Sequence, residues 1–505
     1  MPADKRKPSR HTEVERKFAV TDRTISPSFD GLSSVAKVER SSVQQLDAVY
    51  FDTPGQDLAG HRVTLRRRTG GPDAGWHLKL PAGADARTEV RIPLDDSAAS
   101  DDTVPDELRD VVLAIVRDHP LRPVARISTS RTVDLLYGPN GRALAEFCDD
   151  TVRASAEGDG EPLEWREWEL ELVESTGGDA DSTLLDRLAN RLFDAGAELA
   201  GHGSKLAKVL GTTATATAPR SNDPVHRAVA EQVEELLSWD RAVRADTWDS
   251  VHQMRVITRK IRSLLRASED SFGIADDSWL LEELRVLAGI LGVARDAEVL
   301  AEKYEAALGQ LPAELIRGPV RERLVGGAKR RYHAGWKRTL VAMRSERYFR
   351  LLDGLDAVIA AEAPVSESGA EPEQVTVGAA YRKVRKAAKK AAAAAADDTV
   401  SPVDADEALH KIRKRAKQLR YTASALGEVK VADKAKSIQS LLGDHQDSVV
   451  SRTHLSKEAA TAHATGEDTF TYGVLYQLES EVARRSEEQL DAALKQLKKA
   501  ARAAD

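Results

Sequence analysis

The densest chemistry in the sequence opens with Glu13-Val14-Glu15-Arg16-Lys17. Side chains alternate between the two faces of an extended strand, so Glu13, Glu15 and Lys17 share one face. Two carboxylates beside an ammonium are costly to bury without a counter-ion. A hard divalent cation held by the glutamates answers that cost, and the lysine then meets the charge of a bound phosphate. Later segments repeat the arrangement. Arg62, Thr64, Arg66 and Arg68 share a face, as do His77 with Lys79, and Arg87 with Glu89 and Arg91. Glu167, Glu169 and Glu171 share another, with Trp168, Leu170 and Leu172 behind them. Turned to solvent, these charges would make an ordinary one-sided antiparallel sheet. Two features favour an inward charged face. Few neutral polar residues dilute the charge, and each strand carries large apolar residues on its other face, where helices can cover them. A charged lumen would suit a linear polyanion. Arginines grip phosphate oxygens in pairs, lysines act as point charges, and a carboxylate-held divalent ion bridges phosphate oxygens.

A second set of basic residues lies further along. His252, Arg255, Arg259 and Arg262 are spaced i, i+3, i+7, i+10, a stripe about 80° wide on a helix. His410, Arg413, Lys417 and Arg420 make the same stripe at one constant offset. A solvated helix face explains any single basic cluster. It explains less well a histidine-and-cation spacing that occurs twice. Leu291-Gly292-Val293-Ala294-Arg295-Asp296 likewise recurs as Leu442-Gly443-Asp444-His445-Gln446-Asp447. Two related helical bundles are the economical reading.

The elements that must position these residues come in two styles. Residues 12–175 show period-two alternation in eight runs, beginning near Glu13, Gln45, His61, Gly75, Arg87, Ala125, Arg142 and Pro162. Leu80-Pro81-Ala82-Gly83-Ala84 and Gly138-Pro139-Asn140-Gly141 read as hairpin loops, and helices are expected near 106–118 and 183–195. Eight antiparallel strands are enough to close a barrel. Residues 211–224 form a low-complexity linker, after which the period becomes helical, with a break at 361–377 and a polar stretch from Asp397 to Asp406. The expected organisation is therefore a tunnel domain over 10–210, the linker, and a helical domain over 225–500 with pseudo-repeats at 225–360 and 378–500.

The 505 residues suffice for more than one domain, and 31% charged against 41% hydrophobic residues suits a folded soluble protein. The net charge of −7 is uneven. Residues 1–218 hold 28 Lys and Arg against 37 Asp and Glu, and the rest hold 46 against 44. No apolar run approaches the roughly 20 residues of a spanning helix, so no membrane partner is expected. The basic start, Met1 to His11, has no apolar core of a secretory signal, and Cys148 has no disulfide partner. Cytoplasmic location is the default these features imply.

The tunnel half resembles the CYTH family, the triphosphate tunnel metalloenzymes. Glu13-Val14-Glu15-Arg16-Lys17 is similar to that family's ExExK opening. Supporting blocks follow in order: Tyr50-Phe51-Asp52-Thr53-Pro54, Leu65 to Arg68, Trp76 to Pro81, Arg87 to Val90, Arg126 to Arg131, Glu146 to Asp150, Glu167 to Leu172, and Lys205. The resemblance implies an α+β domain with an eight-stranded antiparallel tunnel that binds a triphosphate with Mg2+ or Mn2+. It implies phosphate binding by Lys17, Arg66, Arg68, Lys79, Arg126, Arg131 and Lys205. Glu13, Glu15, Glu169, Glu171 and Asp150 become metal ligands, with Glu146 beside them. Glu13, Glu15, Lys17 and Glu167 carry the catalysis, Glu167 positioning water, and Arg62, Arg87 and Glu89 join the tunnel wall.

The helical half resembles the CHAD family, on Val251 to Arg262, Leu291 to Asp296, Leu409 to Tyr421 and Leu442 to Asp447. CHAD domains often follow CYTH domains, as here. The resemblance implies two four-helix bundles across a basic cavity, polyphosphate binding by the two stripes, and association with polyphosphate granules. The alanine-rich stretch 387–396 and the near-neutral charge of this half dilute its basic character, which implies salt-sensitive binding. The expected function is metal-dependent hydrolysis of inorganic triphosphate or short polyphosphate. The alternatives are a non-catalytic granule scaffold and a triphosphatase, or cyclase, acting on an organic substrate such as thiamine triphosphate or a nucleotide. No nucleic-acid motif is present.

Overall fold

The alternating stretches become strands because each offers one apolar and one charged face, and closing the sheet separates the two. A computed structural model describes residues 8–83, 85–94, 102–158, 161–173, 179–211, 224–267, 278–361, 376–397 and 399–504. The barrel strands are β1 (Ser9–Val20), β3 (Gln44–Asp52), β4 (Thr64–Thr69), β5 (Gly75–Pro81), β6 (Ala86–Pro93), β7 (Arg122–Tyr137), β8 (Ala143–Ala156) and β9 (Leu163–Leu172). Their order is β1-β6-β5-β4-β3-β7-β8-β9, and β9 pairs back onto β1 to close an antiparallel barrel. All eight expected strands are present. Two short strands were not foreseen: β2 (Lys37–Arg40) pairs with β7, and β10 (Glu198–Leu199) pairs with β1.

Turn chemistry fixes the register of the hairpins. Gly141 adopts φ 75° at the β7–β8 turn, where Asn140 Oδ1 accepts the Arg142 N–H at 3.0 Å. Gly70 has φ 76°, and a Cβ there would sit 2.1 Å from the Gln45 carbonyl, so only glycine fits the β4–β5 turn. Asp52 ends β3 fully buried and accepts backbone N–H groups of Thr53, Leu58 and Ala59 at 2.7–2.9 Å. It thereby holds the short helix α1 (Asp57–Gly60). The Tyr50–Pro54 block is thus partly structural.

The outward faces are apolar and covered. Val14, Phe18, Phe147, Trp168, Leu170 and Leu172 pack against Leu185, Leu188 and Leu192 of α4 (Asp179–Asp194). Short helices α2 (Asp106–Val111) and α3 (Leu113–Val116) occupy the expected 106–118 region. By contrast α5 (Lys205–Leu210) packs on an inward face, with Leu206 against Ala125 and Ile127, which share the side of Arg131, and Val152 and Ala154, which share the side of Asp150.

The helical half contains α6 (Pro224–Arg244), α7 (Ser250–Ala267), α8 (Trp279–Gln310), α9 (Gly327–Met343), α10 (Glu346–Ala360), α11 (Val377–Ala395), α12 (Pro402–Ala425), α13 (Val429–Ala464) and α14 (Phe470–Ala504). The expected linker and the break at 361–377 lie almost wholly outside the described residues. By compactness the chain divides into residues 1–291 with 338–364, and 292–337 with 365–505. That division cuts two continuous helices, α8 after Leu291 and α9 after Lys337. In the first unit, α6 packs on α7 and α10. In the second, α11 to α14 pack around Val384, Ile412, Leu419, Ile438, Leu442 and Leu497. Among the described residues, no helix is long and apolar enough to cross a membrane.

Candidate active site

Strand register arranges the lumen before any side-chain contact is considered. Glu15 of β1 lies opposite Glu171 of β9, which lies opposite Glu146 of β8. The next row is Lys17, Glu169 and Cys148, and a third runs Glu167, Asp150 and Arg131. On the other wall Tyr50 faces Arg66, Arg66 faces His77, and Lys79 lies between Thr64 and Glu89. The result is a charged cavity of about 210 Å³ lined by Glu13, Glu15, Lys17, Tyr50, Arg66, Arg68, Lys79, Arg87, Arg131, Glu169, Glu171 and Lys205.

Inside the wall the charges are paired. Lys17 Nζ donates to Glu15 and Glu169 at 2.7 Å each. Lys79 pairs with Glu13. Lys205 Nζ, carried in by α5, lies 2.9 Å from Asp150 and 2.7 Å from both Glu167 and Glu169. Arg131 donates two hydrogen bonds to Asp150, at 2.8 and 2.6 Å. Burial raises the Glu15 carboxyl, but Lys17 and Lys79 outweigh it and hold it at about 2. Burial likewise pushes Lys205 down, yet Asp150, Glu169 and Glu167 carry it well above the ordinary lysine range.

Burial shifts two groups toward their neutral forms. Burial drives Glu171 up to about 8; Lys79 opposes this, while Glu13, Glu15 and Glu169 add to it. Among the described residues Glu171 has no ion-pair partner. Burial also lowers the Arg68 guanidinium, with Arg66 and Arg131 pressing the same way. Glu171, with no paired cation, calls for one, whereas Arg68 already has Asp73 as its partner. Glu13, Glu15 and Glu171 line one cavity, and carboxylates are the ligands that hard divalent ions take. Asp150, Glu167 and Glu169 bring ligand atoms within 4.8 Å of one another, but Lys205 already supplies charge there.

Four expected residues lie outside the cavity lining, and one of them, Asp150, is fully buried behind it on Arg131 and Lys205. Arg126 is exposed on the outer face of β7, with Nε 3.1 Å from Glu157. It sits five residues from Arg131, and an odd separation puts the two on opposite faces. Arg126 is therefore corrected from a phosphate ligand to a surface residue. Arg62 precedes β4 at φ 57° and lines a separate cavity with His61 and Arg241. Glu167 is withdrawn from the cavity lining, 1% exposed, accepting the Trp165 indole N–H at 2.6 Å. It holds Lys205 rather than touching the lumen. Conversely, His11, Tyr50, Asp73 and Arg91 line the cavity without having been singled out as site residues. Strand parity already placed Arg91 there. Asp73 pairs with Arg68.

In the helical half, α7 carries His252, Arg255 and Arg262 half-buried and Arg259 exposed, beside a buried seam of Met254, Ile257, Ile261 and Leu265. Arg262 Nε donates to the Leu281 carbonyl at 3.0 Å. On α12, His410 is exposed while Arg413, Lys417 and Arg420 are half-buried beside Ile412, Ala416 and Leu419. Both stripes thus border an apolar seam instead of filling it. Residues 291–296 and 442–447 show the same order of buried and exposed positions, as an internal repeat requires.

The chain matches the CYTH domain over residues 11–181 and the CHAD domain over residues 227–456. Two proteins of Mycobacterium tuberculosis, Uncharacterized protein Rv2226 of strain H37Rv and Uncharacterized protein MT2285 of strain CDC 1551, are each 61% identical over 518 residues. Each alignment spans 100% of this chain and of the relative. Among solved structures, the CHAD domain from the plant Ricinus communis is 21% identical, covering 55% of this chain and 95% of that one, with a TM-score of 0.41. A Hippeastrum protein described as showing a dominant triphosphatase activity is 19% identical, covering 40% of this chain and 95% of that one, with a TM-score of 0.26.

Proposed function

Because the chain belongs to the CYTH family through its N-terminal half and to the CHAD family through its C-terminal half, we propose that it is a divalent-metal-dependent triphosphatase acting on inorganic triphosphate or short polyphosphate. The observation that carries this reading is the lumen itself, where the carboxylates of Glu15 and Glu171 face each other across one row and Arg66, Arg68 and Lys79 line the other wall. Glu13, Glu15 and Glu171 would hold Mg2+ or Mn2+, with Glu169 and Asp150 tied to Lys205 behind them. Such an ion, when bound, neutralises charge on phosphate oxygens.

The chain's own residues do the rest. Arg66, Arg68, Lys79, Arg131 and Lys17 grip the phosphate oxygens and align the chain along the tunnel. Carboxylate partners of Lys17, Arg68, Lys79 and Arg131, and the Tyr50 hydroxyl for Arg66, hold them in place before substrate arrives, so little reorganisation is needed. Glu146, which lines the lumen and has no ion-pair partner among the described residues, orients the attacking water. The helical half would hold polyphosphate through the two basic stripes, a role that would bring the protein to polyphosphate granules in the cytoplasm.

One observation favours an organic substrate as the second reading. A further cavity of about 340 Å³ shares Arg68, Asp73, Arg131 and Glu146 with the first and is lined by Leu46, Pro72, Val133 and Leu135. An organic group attached to the triphosphate would find apolar surface there.

Phosphate release from tripolyphosphate, ATP and thiamine triphosphate, with Mg2+ or Mn2+, tests both. Preference for tripolyphosphate, lost in Glu15→Ala, is the expected result. No release from any of the three overturns the catalytic reading and leaves a polyphosphate-binding scaffold.

A further inference from the structure

His11 stands one step outside the ExExK set and shares its face of β1. In the β1–β6 pairing it lies directly opposite Glu89. Its Nε2 is 3.3 Å from Glu13 Oε1 and 3.2 Å from Glu89 Oε2. These three atoms lie within 4.8 Å of one another. Both glutamates are deeply buried, 6% and 4% exposed, whereas the His11 side chain is 48% exposed at the edge of the cavity. The cluster therefore has a buried floor and a route to solvent.

The far oxygens are held from behind. Lys79 pairs with Glu13 Oε2, and His77 Nδ1 lies 2.9 Å from Glu89 Oε1. Metal ligands are commonly fixed by outer partners of this kind, which orient the remaining lone pairs inward. Lys79 sits on the far oxygens of Glu13 and Glu89, so what converges on the near side is one imidazole nitrogen and two carboxylate oxygens, a set of metal-ligating atoms.

We propose that His11 Nε2, Glu13 Oε1 and Glu89 Oε2 form a second divalent-metal site at the tunnel mouth, taking a transition ion such as Mn2+ in preference to Mg2+. The nitrogen ligand sets the preference, because Mg2+ favours an all-oxygen shell whereas imidazole suits the transition metals. The set leaves coordination positions open toward the cavity. The site shares Glu13 with the metal set proposed above and differs from it in His11 and Glu89, so a variant outside the shared residue separates the two.

Pulsed electron paramagnetic resonance on the full chain loaded with Mn2+ reads the ligand directly. Nitrogen modulation from a directly bound imidazole is expected in the wild type. His11→Ala is expected to abolish it and to lose one equivalent of bound Mn2+ in a titration. Glu15→Ala is expected to retain the nitrogen signal whatever happens to phosphate release, so this site and the catalytic reading fail separately. Absence of nitrogen modulation in the wild type, or its survival in His11→Ala, overturns the site. Loss of the nitrogen signal on adding an equal amount of Mg2+ overturns the metal preference.

Discussion

Glu171 lies directly opposite Glu15 in the pairing of β9 with β1, two carboxylates on neighbouring strands facing one lumen. Burial, with Glu13, Glu15 and Glu169 adding, raises the Glu171 carboxyl to about 8. A carboxyl raised above its unfolded value of about 4.3 disfavours folding once the pH exceeds that value, and the loss grows until about pH 8. Glu171→Gln removes the charge and keeps the shape. At pH 7 without metal it should be more stable than the wild type, by on the order of 2 kcal/mol, with a flatter stability profile between these limits. Divalent affinity should fall, by about 100-fold, as a ligand is lost. Denaturant melts and metal titration check the two opposite signs. Lower stability without metal would show that Glu171 is not repelled by its neighbours.

Arg126 and Arg131 lie on one strand and make a matched pair of tests. Arg131 lines the cavity and is tied to Asp150 and Glu169, while Arg126 is exposed with Glu157. Arg131→Ala should lower kcat/KM for tripolyphosphate by about 100-fold, the scale of one charge-assisted phosphate contact. Arg126→Ala should change it less than about twofold, as exposed ion pairs contribute little.

That contrast shows what sequence reveals about this site. Alternation placed Glu13, Glu15, Lys17, Arg66, Arg68, Lys79, Arg87 and Glu89 on inward faces, because a period of two is fixed by backbone geometry. The same rule, applied along β7, separates Arg126 from Arg131. Pairing is another matter. Nothing in the spacing of Asp150, Glu167 and Lys205 says that a helix following the barrel will set an ammonium among carboxylates of two strands. β2 and β10, only 4 and 2 residues long, are too short to carry a period. The break of compact units inside α8 was equally hidden, since its helical pattern runs unbroken through Leu291 and Gly292.

Lys205 offers a test of that pairing. It is buried among Asp150, Glu167 and Glu169. Lys205→Met would strip Glu167 of its cation and leave Asp150 and Glu169 to Arg131 and Lys17 alone, a loss on the order of 3 kcal/mol. The orphaned oxygens should then take a divalent ion. Added Mg2+ is expected to recover more thermal stability in the variant than in the wild type, which a pair of melting curves would show. Equal recovery in both would mean that Lys205 is not what neutralises the trio.

Within the first unit, Tyr348 donates its hydroxyl proton to Asp240 at 2.8 Å, and Arg244 Nε donates to the same carboxylate at 2.6 Å. Burial, together with Asp240, holds the phenol well above its ordinary value. The unfolded chain therefore gives up this proton first, and stability from the group is lost as pH rises past about 10. Tyr348→Phe should cost about 1–2 kcal/mol at pH 8 and show less of the alkaline loss. Urea melts at pH 8 and 10.5 read both effects.

The basic stripe on α12 bears on whether the helical half binds polyanions at all. Arg413 lies against Gly443 of α13, where an added Cβ would be 3.4 Å from its guanidinium nitrogen. Lys417 and Arg420 both approach the Tyr421 ring, and Arg420 donates to Gln439 at 3.3 Å. These side chains are half-buried, and long basic side chains can lay their stems on apolar surface while the charged group meets an extended anion. Removing both charges, as Lys417→Ala with Arg420→Ala, should weaken binding of long-chain polyphosphate by about tenfold at low salt. The deficit should shrink as salt rises, because screening weakens the wild type more than the variant. A titration of polyphosphate into each protein across a salt series measures this. A deficit that stays constant across the series would mean that the two side chains shape the helix surface without meeting the anion's charge.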